Sequence, residues 1–168
     1  DDAITFLEKF LAQVPSASQA RAELANQYTG AKRLADAVNE LRKSIQLDEN
    51  NPNNFLTLGK LYSWQDKTDE AVKLYQTVLD RDPENLAALT GLGNTYRFAG
   101  LNVKAMGYYR RALEIDPDYA DALESVRRIE EMSAPQARLK YAFLRVDDAE
   151  PVVGDRDDPG LLHLETGE

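Results

Sequence analysis

The chain has 168 residues, 43 % of them hydrophobic, which is enough for one domain or one short repeat array with its own core. Its 29 Asp and Glu outnumber its 20 Lys and Arg, and the net charge of -9 argues against nucleic acid and anionic membranes as partners. The absence of cysteine excludes disulfides, thiol chemistry and thiolate metal sites, but leaves the redox compartment open.

A regular repeat organises the chain. Asp82-Pro83 and Asp116-Pro117 each follow an apolar helix end, and we call the interval from Pro83 to Pro117 the repeat step. The same step superposes Leu58-Gly59 on Leu92-Gly93, Tyr62 on Tyr96, Ala71 on Ala105, Tyr75 on Tyr109 and Leu79 on Leu113. Self-similarity at a fixed step of this length indicates a stack of helical repeats.

Residues 1–17 are predicted to be the second helix of a truncated copy. The repeat step places Ala3, Leu7, Phe10, Leu11 and Pro15 in the columns of a second helix and its terminating proline. A terminal helix of a repeat stack normally has a polar outer face, whereas Phe6 and Phe10 give this helix an apolar side. We therefore expect further repeats before Asp1 in the parent protein.

Full copies are predicted at residues 18–51, 52–85 and 86–119. In the first helix of the second copy, Leu58, Gly59 and Tyr62 share one face, and Gly59 lacks a side chain that would keep the second helix away. In the second helix, small Ala71 faces the glycine side and Tyr75 fills the space between helices.

These columns resemble the tetratricopeptide-repeat pattern. The resemblance implies an all-α fold, a right-handed superhelix (solenoid) of antiparallel helix pairs. It also implies a scaffold that binds a peptide or a partner protein in its concave groove, with no catalysis and no cofactor.

The pattern continues into residues 120–132, where Arg127 occupies the glycine column and Glu130 the tyrosine column. Charged residues in these two columns predict a capping helix. Residues 133–168 are predicted to be an acidic extension, and two interpretations of it stay open. A degenerate fourth copy fits Pro151, which lies one repeat step after Pro117, whereas strands fit the alternation around Tyr141.

No set of residues converges on a known catalytic chemistry. Gly91 and Gly93 fall within a predicted helix, so they do not form a phosphate loop. His163 stands without a second histidine or a cysteine. Asp155, Asp157 and Gly160 match part of a calcium loop, but Pro159 and Thr166 occupy ligand positions, and a solvated acidic turn is the preferred interpretation. The sequence therefore predicts no enzyme and no metal site.

The candidate binding residues follow from helix geometry. If one face of each first helix packs on its partner helix, repeat positions 2, 5, 9, 12 and 13 must line the concave surface. Trp64 and Phe98 are the two large aromatic residues in this set, and they serve either as ligand anchors or as covers over the seam to the next copy. The predicted groove residues are Asn26, Asn53, Leu56, Lys60, Trp64, Thr90, Asn94, Arg97 and Phe98, with Ser63 on the same face.

Two narrower functions compete with a general scaffold. Repeats of this family that hold chaperone C-termini have Lys at position 5, where this chain has Ala22, Leu56 and Thr90, so that activity is not predicted. The run from Tyr62 to Gln65, with strand-like residues 138–146 and 160–165, resembles bacterial outer-membrane polysaccharide exporters. That alternative makes the array a periplasmic arm, and it slightly favours the bacterial periplasm over the cytoplasm.

Overall fold

The computed structural model describes residues 2–132, and every regular element in that range is helical. The all-α prediction is confirmed, and the predictions for residues 133–168 lie outside the described range. In chain order the helices are α1 (Asp2–Gln13), α2 (Ser18–Gly30), α3 (Leu34–Leu47), α4 (Pro52–Trp64), α5 (Thr68–Arg81), α6 (Leu86–Phe98) and α7 (Asn102–Ile115), followed by helical residues 120–132.

The helices pack as consecutive pairs. The most extensive packing joins α2 with α3, α4 with α5, and α6 with α7, while α3 with α4, α5 with α6, and α4 with α6 join one pair to the next. Helices α2, α4 and α6 begin at Ser18, Pro52 and Leu86, the first residues of the predicted copies. Each pair therefore buries its apolar faces against its neighbours in sequence, as a solenoid requires.

The turn that ends each first helix is the same in every copy. The backbone N–H of Arg33, Lys67 and Leu101 donates to the carbonyl oxygen five residues earlier, at 2.8, 3.0 and 2.8 Å. This six-to-one bond defines a Schellman motif, which needs one residue in the left-handed region. Gly100 takes that conformation in the third copy, whereas Lys32 and Asp66 take it in the first two at φ 61° and 58°.

Tyrosine rings packed on glycine set the distance between helices. An added Cβ at Gly59 would lie 3.0 Å from the Tyr75 ring, and one at Gly91 would lie 2.3 Å from the same ring. An added Cβ at Gly93 would lie 2.3 Å from the fully buried Tyr109 ring. The close approach predicted at Gly59 is confirmed, and Tyr75 also packs against the next copy through Gly91.

Short polar side chains join the copies inside the core. The Ser44 hydroxyl donates to the carbonyl oxygen of Ser18 at 2.7 Å and accepts from the Asn54 amide at 2.9 Å. The hydroxyls of Ser63 on α4 and Thr95 on α6 are 2.6 Å apart. The side chains of Ser44, Asn54, Ser63 and Thr95 are buried. Each of them has a hydrogen-bond partner, as buried polar groups need.

We expect Gly93→Ala to lower the free energy of unfolding by about 2 kcal/mol or more, because the new methyl group overlaps a rigid, fully buried ring. Gly107→Ala is the matched control. Gly107 lies inside α7 with no atom within 4 Å of an added Cβ, so the change should stabilise the helix by about 0.5–1 kcal/mol.

Urea denaturation followed by circular dichroism measures both variants. Equal stability of Gly93→Ala and the parent chain would show that the Tyr109 ring can move aside at little cost, and would contradict the packing described above.

Candidate functional site

A groove of about 530 Å³ runs along helices α4 and α6 and helical residues 120–132. We call it the main groove. Tyr75 and Gly91, which pack against each other, both line it. Seven predicted residues lie on it: Leu56, Lys60, Trp64, Thr90, Asn94, Arg97 and Phe98.

The other two predicted residues lie elsewhere. Asn26 and Asn53 line a second depression of about 640 Å³, which we call the N-terminal groove. Leu7 and Phe10 of α1 contribute its apolar part. Thr57 lines both grooves, so the predicted surface is divided into two neighbouring parts on either side of that residue.

Two half-exposed aromatic rings stand on the main groove. Trp64 and Phe98 end helices α4 and α6, and each is 48 % exposed. The Lys60 ammonium lies 5.0 Å from the centre of the Trp64 ring, and the Arg97 guanidinium lies 4.5 Å from the centre of the Phe98 ring. Both are cation–π distances, so each of these two copies presents the same pairing of a cation with an aromatic ring.

Two side chains expected to face a ligand are buried instead. Ser63 is 6 % exposed and Thr90 is 5 % exposed. The Ser63 hydroxyl bonds to Thr95, and the Thr90 hydroxyl donates to the carbonyl oxygen of Leu86 at 2.8 Å. Because the Ser63 and Thr90 hydroxyls donate their protons to backbone carbonyl oxygens of their own helices, neither donates to a ligand.

Longer polar side chains keep free donors at the main groove. The buried Tyr109 hydroxyl donates to the amide oxygen of Asn94 at 3.0 Å, which leaves the Asn94 amide nitrogen to donate elsewhere. Within residues 2–132, the Nε atom of Arg97 is buried and has no hydrogen-bond partner.

The side of the main groove formed by helical residues 120–132 is absent from the sequence-based prediction. Asp121, Glu124, Ser125 and Arg128 line it from helical residues 120–132, for which the sequence indicates only a cap. Three of these lie one repeat step after Ala87, Thr90 and Asn94, so carrying the groove positions one copy further would have found them.

The negative charge of Glu124 is balanced by two neighbouring arginines. Its carboxylate accepts from Arg127 at 2.5 Å and from Arg128 at 2.9 Å. These hydrogen bonds hold the pKa of Glu124 below its usual range, so the carboxylate stays ionised and paired.

Comparison with known proteins supports the same architecture. Residues 56–120 match the family model described as tetratricopeptide repeat. In these residues the chain is similar to the tetratricopeptide-repeat family. No curated protein sequence matches it significantly.

Solved structures share the fold of this chain at low sequence identity. MamA is 23 % identical and superposes with a TM-score of 0.68, covering 78 % of this chain and 77 % of MamA. The Arabidopsis OM64 TPR domain is 20 % identical with a TM-score of 0.63, covering 69 % and 96 %. The first TPR of Spaghetti (RPAP3), bound to the HSP90 peptide SRMEEVD, is 20 % identical with a TM-score of 0.62, covering 70 % and 93 %.

Neither a metal cluster nor a membrane span occurs in the described part of this repeat protein. Across residues 2–132, no three His, Cys, Asp or Glu side chains come together as a metal site would need. No helix in that range is both long and apolar enough to cross a membrane. The sequences around His163 and Asp155, discussed above, lie outside the range.

Burial raises the pKa of the Tyr75 hydroxyl to about 12, although a hydrogen bond with Ser63 acts in the opposite direction. In the unfolded chain this pKa is about 10. The stability that Tyr75 contributes through its buried neutral hydroxyl is therefore complete below pH 10 and is lost as the pH rises towards 12.

We expect the free energy of unfolding to fall by about 1 kcal/mol between about pH 9 and about pH 11 through Tyr75 alone. Urea denaturation at both pH values, on the parent chain and Tyr75→Phe, measures this contribution. The variant should lose about 1 kcal/mol less than the parent, and an identical loss in both proteins would show that the hydroxyl ionises freely in the folded state.

Proposed function

We propose that this repeat array is a non-catalytic scaffold that binds a peptide or a partner protein in the main groove. The observation that carries the proposal is the pair of half-exposed rings, Trp64 and Phe98, each with a cation over its face, on one groove. Among proteins of the same fold, the RPAP3 domain has a bound peptide.

The groove has the composition of an anchoring site. Aromatic side chains bury a large area on binding at little cost in conformational entropy, and they dominate binding energy when they lie in a pocket with polar groups nearby. Here the rings provide the apolar area, while Lys60, Asn94 and Arg97 provide donors that fix orientation and register. These three stand on α4 and α6, which are held rigidly by the tyrosine–glycine contacts.

The exporter alternative has no comparable observation in its favour. Ser63, within the run from Tyr62 to Gln65 that suggested it, is buried against Thr95 and serves the packing of α4 on α6. Residues 138–146 and 160–165, on which the strand interpretation depends, lie outside the described range. The periplasmic location stays a prediction from the sequence.

The test of the scaffold proposal uses a random peptide library displayed on phage, selected on the full chain. Selected peptides are then synthesised, and their dissociation constants are measured for the parent chain and for the Trp64→Ala/Phe98→Ala variant. We expect at least about tenfold weaker binding, because loss of a buried aromatic anchor costs about 2 kcal/mol or more.

Phe6→Ala/Val103→Ala is the matched control, because it removes an aromatic and an aliphatic side chain that are 68 % and 90 % exposed and lie on neither groove. It should bind the selected peptides as the parent does. Circular dichroism must show unchanged helicity in both variants. If the groove variant binds as tightly as the parent chain, the main groove is not the binding site.

A further inference from the structure

The two helices that carry the anchoring rings contain no acidic residue. Helix α4 reads PNNFLTLGKLYSW and helix α6 reads LAALTGLGNTYRF, so Lys60 and Arg97 are their only charged side chains. The whole chain has 29 Asp and Glu and a net charge of -9. The wall formed by α4 and α6 therefore has the opposite charge to the protein as a whole.

Lys60 and Arg97 have no carboxylate partner. Within residues 2–132 neither takes part in an ion pair, whereas Arg21, Arg33, Lys43 and Arg128 all do. The Nε atom of Arg97 is in addition buried without an acceptor. Leaving a charged donor unpaired in a buried position costs free energy, and an acceptor that reaches the rest of this guanidinium forms a charge-assisted hydrogen bond.

The charged hydrogen-bonding groups of this wall are both donors. Lysine and arginine side chains cannot accept, and the Asn94 amide oxygen already accepts one bond from the Tyr109 hydroxyl. The hydroxyl groups of Ser63 and Thr90 are bonded inside the protein. A ligand lying along α4 and α6 therefore forms charge-assisted hydrogen bonds by presenting acceptors. Across the groove, Glu124 is already paired with two arginines, and Asp121 is the second carboxylate on that side.

On the basis of the proposed function, we infer that the main groove binds an internal acidic segment of a partner protein, in which two side-chain carboxylates flank one large apolar residue. The carboxylates pair with Lys60 and Arg97, and the apolar side chain packs between Trp64 and Phe98. Because the two cations stand on separate helices, they suit two separate carboxylates better than the single carboxylate of a chain terminus.

The helix spacing sets the spacing of the acidic residues. Helices α4 and α6 are in direct contact, and the axes of packed helices lie about 8–10 Å apart. A peptide in the polyproline II conformation advances about 3.1 Å per residue and turns every third side chain to the same face, so two residues three apart can reach the two helices from one side of the peptide. The motif is therefore an acidic residue, two further residues that include the apolar one, and a second acidic residue.

Defined peptides test this motif. The probe is a fluorescent peptide in a Gly/Ser background, blocked at both ends, with Glu at its third and sixth positions and Phe between them. One matched peptide replaces both Glu with Gln, and another replaces them with Lys. A further one carries Gln and a free terminal carboxylate. Fluorescence anisotropy with the full chain should show at least about tenfold tighter binding of the Glu peptide than of the other three, with a smaller difference at high salt.

Charge-removing variants locate the contact. Lys60→Gln and Arg97→Gln should each weaken binding of the Glu peptide several-fold and leave the weak binding of the Gln peptide unchanged. Lys73→Gln, which removes the same charge from a position on α5 outside the groove, is the matched control and should change neither. Two groove variants are used because Lys60 is exposed and its replacement does not disturb the core.

The outcomes separate this inference from the proposed function. The inference would be overturned if the Gln peptide bound as tightly as the Glu peptide. It would also be overturned if the Gln peptide with a free terminal carboxylate bound as tightly as the Glu peptide. A control variant as weak as the groove variants would overturn it too. If none of these peptides binds while library peptides still depend on Trp64 and Phe98, the acidic motif is wrong and the scaffold proposal stands. If library binding is also independent of those rings, both are wrong.

Discussion

The contact of the Tyr75 ring with Gly59 and Gly91 fixes how helices α4, α5 and α6 lie together. One side chain from the second helix of a copy packs on the first helix of its own copy and on the first helix of the next. Any Cβ at Gly91 would overlap that ring, so the helices could not approach as they do. Since Tyr75 and Gly91 also line the main groove, the contact that joins the copies is also part of the site.

Polar side chains divide into two groups by length. Short ones at the helix interfaces, such as Ser63 and Thr95, bond to one another or to backbone and are buried. Long ones, such as Lys60 and Arg97, extend past the interface to the groove. The first group therefore holds the copies in register, while the second remains available to a ligand.

The fold of this chain and its choice of ligand depend on different sets of residues. MamA, the OM64 domain and the RPAP3 domain superpose on it although their sequences are only 20–23 % identical to it. A repeat backbone depends on the small, aliphatic and aromatic residues through which its helices pack. Ligand choice depends on the exposed side chains at the concave positions, and in this chain those positions combine two cations, two aromatic rings and no acidic residue on α4 or α6.

The sequence by itself determined the helical repeat, the helix starts at Ser18, Pro52 and Leu86, and the rings of Trp64 and Phe98 on the groove. The repeat step and helix geometry suffice for these, because the face of a residue within its own helix is a local property. Only the tertiary structure decided that Ser63 and Thr90 are buried and that Glu124 and Arg128 form a further wall. A serine or threonine fits an exposed or a buried position equally well, and which one it occupies depends on how closely the next copy's backbone approaches.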